Sequence, residues 1–207
     1  MAPRENAQAL LSAKVARTAG KHSPFEVAVR NLPIPVCSVF FDADRRLAPT
    51  AFQETDIVVT GSNHEESLKV FPLTIARSRN AVLEAIPGDA SRRPTGKRVA
   101  VLFSGGPAPG GHNVLAGLKA ILGPGNILLG ARRGTKGLFS GDLVEITAAD
   151  ARAIVNTGGF DFLGTDRTKV KTPDQFASVK ETILKYRLDG LVVVGGDDSN
   201  TNAAFIA

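Results

Sequence analysis

Two short apolar runs, each ending in a glycine-rich segment, constrain the fold of this chain most strongly. Arg98–Phe103 is apolar from its second residue onward and runs into Ser104-Gly-Gly-Pro-Ala-Pro-Gly-Gly111, the first glycine-rich segment. Leu191–Val194 is fully apolar and runs into Gly195-Gly-Asp-Asp-Ser-Asn-Thr-Asn202, the second glycine-rich segment. Continuous apolar runs of this length are typical of strands that are buried on both faces of a sheet. We therefore predict two buried strands, each followed by a turn and a helix.

Helix signals lie between the two predicted strands. Apolar residues at helical spacing follow the first glycine-rich segment, and Gly123-Pro-Gly125 ends that pattern. Capping-box patterns begin two further helices, one at Thr147 with Asp150 and one at Thr172 with Gln175. Strands that alternate with helices predict an α/β fold, in which helices cover both faces of a parallel, Rossmann-like sheet.

The first half of the chain has weaker patterns. We predict an N-terminal extension over residues 1–97 and the cored domain over residues 98–207. Within the extension, Val36–Phe41 and Asp56–Thr60 are predicted strands, and Ala76–Ile86 carries apolar residues at helical spacing.

Composition excludes several classes of function. The net charge of +5 is compatible with an anionic substrate, but no basic block with interleaved aromatic residues occurs, so we expect no nucleic-acid partner. The single cysteine, Cys37, excludes an internal disulfide and a cysteine-rich zinc site. No apolar run approaches the length of a membrane span, so we expect no membrane partner and a cytoplasmic location. The basic residues 1–22 suit either a transit peptide or a frayed terminus.

The first glycine-rich segment suits phosphate binding. Glycines at Gly105 and Gly106 let the backbone approach a phosphate, and the following helix offers free N–H groups and a positive dipole end. The segment is not a Walker motif, because His112 and Asn113 follow it in place of Lys and Ser or Thr. A tight turn without a ligand would use the same glycines.

The second glycine-rich segment carries two adjacent acids, Asp197 and Asp198, directly after an apolar strand. Mg²⁺ shared between a carboxylate and phosphate oxygens is a natural partner for such a pair. The alternative is a helix cap by Asp198 or Ser199, although a cap needs only one such residue. Ligands bind at the carboxyl ends of parallel strands, so we expect both glycine-rich segments to face one cleft.

Two further loops carry cations. The loop over residues 158–169 holds Arg167 and Lys169, and an arginine there suits the clamping of phosphate oxygens. The loop over residues 130–141 is basic, and we expect it to be mobile, serving either to attract an anionic substrate or as a plain surface loop.

Taken in this order, the segments over residues 98–207 resemble the phosphofructokinase family, and within it the diphosphate-dependent branch. Three strings carry the resemblance: Gly105-Gly-Pro-Ala-Pro-Gly-Gly-His-Asn113, Gly158-Gly-Phe-Asp-Phe-Leu-Gly164 with Arg167-Thr-Lys169, and Gly195-Gly-Asp-Asp-Ser-Asn-Thr-Asn202. The resemblance implies Mg²⁺-dependent transfer of a phosphoryl group from diphosphate to fructose 6-phosphate, giving fructose 1,6-bisphosphate in glycolysis. It also implies a homo- or hetero-oligomer.

The resemblance also implies residue roles. Gly105 and Gly106 would line the diphosphate site, and Arg167 would contact the transferring phosphoryl group. Asp197 would bind Mg²⁺. Asp198 stands where ATP-using relatives have glycine, and its side chain would exclude ATP by repulsion.

The family's catalytic base and fructose-6-phosphate half are expected downstream of Ala207. We therefore expect the chain to be an N-terminal fragment that is inactive alone. Two other interpretations stay open. One is an ATP-using kinase with a Gly-Gly-Asp loop. The other is a non-catalytic regulatory subunit that binds phosphate.

Overall fold

The structure is a computed structural model, and it describes residues 23–30, 39–44, 46–58, 61, 63–73, 81–89 and 94–207. These residues belong to two compact units. The larger unit contains the helix α1 (Pro24–Arg30) and residues 95–206, and the smaller unit contains the described residues between 39 and 94. The predicted boundary between residues 97 and 98 stays a prediction.

The smaller unit is built on an antiparallel pair of strands. Its elements are β1 (Thr50–Val58), α2 (His64–Val70) and β2 (Ala81–Pro87). The strands pair from Thr50 opposite Pro87 onward. The helix predicted over Ala76–Ile86 is therefore wrong for residues 81–86, while residues 76–80 lie outside the described ranges. The apolar spacing covers too few residues to distinguish a helix from a strand, and pairing with β1 decides the conformation.

The two strands predicted in this unit have different outcomes. Asp56–Thr60 overlaps the end of β1, although residues 59 and 60 lie outside the described ranges. Of Val36–Phe41, residues 36–38 are not described, residues 39–40 form a turn, and Phe41 makes a single antiparallel bridge with Leu47. The described part of that segment is thus not a continuous strand. Cys37 and residues 1–22 also lie outside the described ranges.

The larger unit holds a four-stranded sheet with helices. Its elements after α1 are β3 (Arg98–Phe103), α3 (Gly111–Leu122), β4 (Ile127–Ala131), α4 (Thr135–Phe139), β5 (Leu143–Glu145), α5 (Ala148–Ile154), α6 (Pro173–Tyr186), β6 (Gly190–Val194) and α7 (Asp197–Ile206). The strand order is β5-β4-β3-β6, and β3 runs parallel to both of its neighbours. The predicted α/β fold is confirmed.

The sheet is mixed, since β5 runs antiparallel to β4. Only the short helix α4 separates the two strands in sequence, and a parallel return needs a longer crossover. The prediction of a wholly parallel sheet is therefore wrong at this edge.

Side chains of β3 alternate between two cores, one on each face of the sheet. Val101 and Phe103 pack with residues of α3 and α5, including Leu115 and Ile154. The intervening residues of β3 pack in the second core, whose members include Ala100, Leu102, Leu138 of α4 and Val179 of α6. Helices thus cover both faces, as the alternation of strands and helices predicts.

Both predicted capping boxes are present. At the start of α5, Thr147 Oγ1 accepts a hydrogen bond from the Asp150 N–H, and the Asp150 carboxylate accepts one from the Thr147 N–H. Thr172 and Gln175 make the same reciprocal pair at the start of α6. Each cap stabilises its helix by about 1 kcal/mol, so the sequence marks these helix starts without help from distant residues.

The strand β6 is less buried than predicted. All five of its residues are half-buried, whereas Ala100–Phe103 of β3 are fully buried. Within the described residues β6 pairs only with β3, so it forms an edge of the sheet.

The order of the strands leaves a crevice beside β3. From β3 the chain continues to β4 on one side, and β6 arrives on the other side much later in the sequence. The helix α3 packs in the first core, and Ile206 of α7 packs in the second. The segments after β3 and β6 therefore diverge to opposite faces, and such a point in a sheet leaves a crevice at the carboxyl ends of the strands.

Candidate active site

Both glycine-rich segments line one cleft of about 610 Å³ at the carboxyl ends of β3 and β6. Its lining includes every residue that we predict for the site, namely Gly105, Gly106, Arg167, Asp197 and Asp198. The expectation that the two segments share a cleft is therefore met by the geometry. The roles of the individual residues stay predictions.

The first glycine-rich segment turns sharply at Gly105. This residue has a φ of 96°, a region that favours glycine, and its N–H donates to the Asp166 carbonyl oxygen at 2.9 Å. Thr165 Oγ1 donates to the Gly105 carbonyl oxygen at 2.8 Å. The loop before Arg167 thus holds the backbone of this segment in place.

Some backbone groups of the first segment point to no protein partner. Within the described residues, the N–H groups of Gly106 and Ala108 donate no hydrogen bond to another backbone or side-chain group. Arg167 lies close by, since its Nη2 would be 3.2 Å from a Cβ added at Gly106. The Arg167 guanidinium likewise makes no hydrogen bond or ion pair within that part of the chain. These are donors that an anion in the cleft can use.

The second glycine-rich segment packs tightly against the first. Ser199 Oγ donates to Ser104 Oγ at 2.9 Å, and Ser199 is buried. A Cβ added at Gly195 would lie 2.5 Å from Ser199 Oγ and 2.6 Å from the Ser104 carbonyl oxygen. Only glycine therefore fits at residue 195 without displacing its neighbours.

Asp197 and Asp198 are the first two residues of α7, so this helix begins within the second glycine-rich segment. The positive end of the helix dipole favours carboxylates at these positions. Within the described ranges, the Asp197 carboxylate makes no hydrogen bond or ion pair.

The Asp198 carboxylate has a partner that our sequence interpretation does not contain. Lys169 Nζ lies 2.8 Å from Asp198 Oδ1. The hydrogen bond from Lys169 holds the pKa of Asp198 below its usual value, and the positive charges of Lys169 and Lys171 add to that effect. Among the described residues, one of the two acids is thus compensated by a protein cation, which leaves the other, Asp197, for a ligand.

The residues present suit a magnesium ion shared with a phosphate. Among the described residues, no group of three or more His, Cys, Asp and Glu side chains is arranged to hold a metal ion by itself. Mg²⁺ keeps several waters and is bound by one or two carboxylates together with substrate phosphates. An uncommitted carboxylate at Asp197, in the same cleft as the free N–H of Gly106, matches that requirement.

The basic loop over residues 130–141 is well packed, so the expectation of a mobile loop is wrong. It contains the helix α4, in which Thr135 and Leu138 are buried. Arg132 donates from Nε and Nη2 to Asp142 Oδ1, at 2.9 and 2.7 Å, and Arg133 Nη2 lies 3.6 Å from Asp142 Oδ2. The two arginines are thus paired with one carboxylate.

His112 and Asn113, which follow the first glycine-rich segment, connect α3 to the loop after α5. His112 is buried, and its Nε2 accepts a hydrogen bond from the Phe162 N–H at 3.1 Å. Asn113 donates to the Asn156 side chain and accepts from its N–H. The hydrogen bonds of these two residues therefore fix the start of α3 against that loop.

A family model described as Phosphofructokinase matches residues 98–207. The chain belongs to the phosphofructokinase family. The predicted family is thereby confirmed, and the match covers β3 through α7, which include both glycine-rich segments.

Curated relatives of this phosphofructokinase chain carry the name of the diphosphate-dependent reaction. It is 50% identical over 127 residues to the "Pyrophosphate--fructose 6-phosphate 1-phosphotransferase" of Treponema pallidum, covering 60% of this chain and 22% of that protein. It is 51% identical over 113 residues to the protein of that name from Entamoeba histolytica, covering 53% and 21%. It is 37% identical over 170 residues to "subunit beta 2" of Arabidopsis thaliana, covering 77% and 29%.

The chain spans less than a third of the length of these relatives. Their names agree with the predicted diphosphate-dependent branch. None of the helices in the described ranges combines the length and the apolar character that crossing a membrane requires.

Proposed function

We propose that the whole protein transfers a phosphoryl group from diphosphate to the 1-hydroxyl of fructose 6-phosphate, giving fructose 1,6-bisphosphate. The observation that carries this proposal is one cleft that combines a backbone donor at Gly106, a cation at Arg167 and a carboxylate at Asp197. None of these groups has a protein partner in the described part of the chain. Donors of this kind bind a polyphosphate, and the names of the relatives suggest the donor and acceptor.

The proposed reaction needs positioning and charge stabilisation more than covalent chemistry. The 1-hydroxyl oxygen gives its proton to a general base and forms a bond to one phosphorus of diphosphate, while the bond from that phosphorus to the bridging oxygen breaks and phosphate leaves. The N–H of Gly106 and the N-terminus of α3 hold the phosphate oxygens in line. The Arg167 guanidinium stabilises the charge on the transferring group.

We assign magnesium as the cofactor, with Asp197 as its protein ligand. The ion, when bound, supplies positive charge that neutralises the phosphate oxygens. Asp197, in the first turn of α7, would be the protein residue that holds the ion beside the donor phosphates.

Donor choice is assigned to Asp198. Its carboxylate lines the cleft and is ionised at neutral pH, and the hydrogen bond from Lys169 holds its pKa below the usual value. A nucleoside triphosphate places further phosphate charge beyond the two phosphates that diphosphate has. Repulsion between that charge and Asp198 disfavours ATP, so diphosphate is the donor.

We also propose the setting of the reaction. The acceptor and product are sugar phosphates, which fits glycolysis in the cytoplasm. The A. thaliana relative is named as a subunit, and this supports an oligomer of like or unlike chains.

The test is to measure which phosphoryl donor the full-length protein uses. With Mg²⁺ and fructose 6-phosphate, we expect fructose 1,6-bisphosphate to form from diphosphate and not from ATP. Formation from ATP alone would favour the ATP-using kinase. Diphosphate binding without turnover would favour the non-catalytic subunit.

The donor role of Asp198 has its own prediction. Asp198→Gly should admit ATP and weaken the use of diphosphate, because the repelling carboxylate is removed. We expect the ratio of kcat/KM for diphosphate to that for ATP to fall by at least about tenfold, since a like-charge contact costs several kcal/mol. Asp174→Gly is a matched control, because Asp174 is also an acid in the first turn of a helix and does not line the cleft. An unchanged ratio in Asp198→Gly would contradict the assignment.

A further inference from the structure

The Asp198 side chain lies between two surface pockets. One is the cleft with the glycine-rich segments, and the other is a neighbouring pocket of about 460 Å³. Asp198 lines both, whereas Lys169 and Lys171 line only the second. The Lys169 ammonium therefore reaches the Asp198 carboxylate from outside the cleft that we assign to the donor.

The backbone next to Lys169 is attached to the helix that carries Asp198. Asn202 lies one turn after Asp198 in α7 and forms hydrogen bonds with Val170. Asn202 and Val170 are both buried. Asn202 Nδ2 donates to the Val170 carbonyl oxygen at 2.8 Å, and Asn202 Oδ1 accepts from the Val170 N–H at 3.0 Å. This two-point attachment keeps the Lys169 backbone at a constant distance from Asp198.

A preorganised ion pair differs from a free surface pair. Lys169 and Asp198 retain 38% and 77% of their side-chain exposure, so the pair adds little to stability. Its consequence is geometric, because an aspartate without a partner samples several rotamers, and the Lys169 bond at 2.8 Å selects one.

We propose that Lys169 is a positioning residue for donor specificity, whose ammonium holds the Asp198 carboxylate at the wall of the cleft where it bars a donor longer than diphosphate. This inference rests on the proposed function. It adds a residue that acts through Asp198 and does not touch the donor.

The experiment compares Lys169→Met with wild type in the protein at its native length. The readout is the ratio of kcat/KM with diphosphate to kcat/KM with ATP. We expect this ratio to fall about threefold in Lys169→Met, which is the range for an exposed ion pair. Lys169→Arg should restore most of the ratio, since a guanidinium can donate to the same carboxylate. Lys171→Met, which removes an equal charge from the same pocket, should change the ratio less.

A double-mutant comparison separates positioning from direct contact. In an Asp198→Gly background, Lys169→Met should leave the donor ratio unchanged, because there is no carboxylate left to hold. An equal fall in both backgrounds would mean that Lys169 acts on the donor itself, and this would overturn the inference. The inference would also fail if Lys169→Met kept the wild-type ratio, or if Lys171→Met lowered it equally.

The failure of this inference can be told from the failure of the proposed function. If the wild-type protein does not use diphosphate, both the proposed function and the role of Lys169 are wrong. A wild type that uses diphosphate, with a donor ratio that does not respond to Lys169, removes only the role of Lys169.

Discussion

The two glycine-rich segments line the same cleft, yet they present different groups to it. The first, after β3, offers backbone N–H groups at Gly106 and Ala108 and carries no charged side chain. The second, after β6, offers the carboxylates of Asp197 and Asp198. One segment is suited to bind an anion directly, and the other to bind it through a cation. A cleft for a metal-bound polyphosphate needs both.

The segments also differ in how their glycines are used. Residue 105 favours glycine because its φ is 96°, whereas residue 195 favours glycine because a Cβ there would overlap neighbouring atoms. The second segment must leave room for Ser199, which donates to Ser104. The glycines at the start of the two segments thus reflect two separate constraints.

The largest expected effect is the loss of turnover when the Asp197 carboxylate is removed from the second glycine-rich segment. Asp197→Ala should lower turnover about a thousandfold, since a metal ion contributes several kcal/mol of charge stabilisation. Diphosphate affinity, measured by isothermal titration with and without Mg²⁺, should lose its dependence on the metal. Asp174→Ala is the matched control, because Asp174 is also an acid in the first turn of a helix and does not line the cleft. Full activity of Asp197→Ala would remove its metal role.

The next effect tests the close packing between the segments. Gly195→Ala should lower the free energy of unfolding by about 1–3 kcal/mol, because the new Cβ overlaps Ser199 and the Ser104 carbonyl. Gly196→Ala should change it by less than about 0.5 kcal/mol, since nothing lies within 4 Å of its Cβ. Urea unfolding of the two variants measures the difference. Equal stabilities would show that the contact is not tight in solution.

The smallest expected effect is a pH dependence of the free energy of unfolding that comes from Asp198 in the second glycine-rich segment. The folded pKa of Asp198 lies below the ordinary value of 3.8, so its contribution to stability is present above that pH and is lost as the pH falls through the folded pKa. Wild type should therefore be slightly more stable than Asp198→Asn near neutral pH, and the two should converge in acid. Urea unfolding between neutral pH and about pH 2 measures the gap. A gap that is independent of pH would contradict the ion pair with Lys169.

Local sequence marked β3, the end of α3 and the starts of α5 and α6 within residues 98–207, but it indicated neither α4 nor β5. Capping boxes at Thr147 and Thr172 act within one helical turn, and apolar runs that end in glycine mark strands followed by turns. The rule that ligands bind at strand carboxyl ends then brings both glycine-rich segments to one cleft. The capping and strand signals need only residues that are near one another in the chain, whereas the shared cleft follows from the general rule about parallel sheets.

Tertiary structure alone decided the partners of residues that are distant in the chain. It makes residues 81–86 a strand through pairing with β1, and it places β6 at an edge of the sheet. It also joins Lys169 to Asp198, and no spacing rule connects these two residues. The physical reason is that strand pairing and ion pairing depend on which surfaces meet after folding, whereas periodicity and capping report only the local backbone.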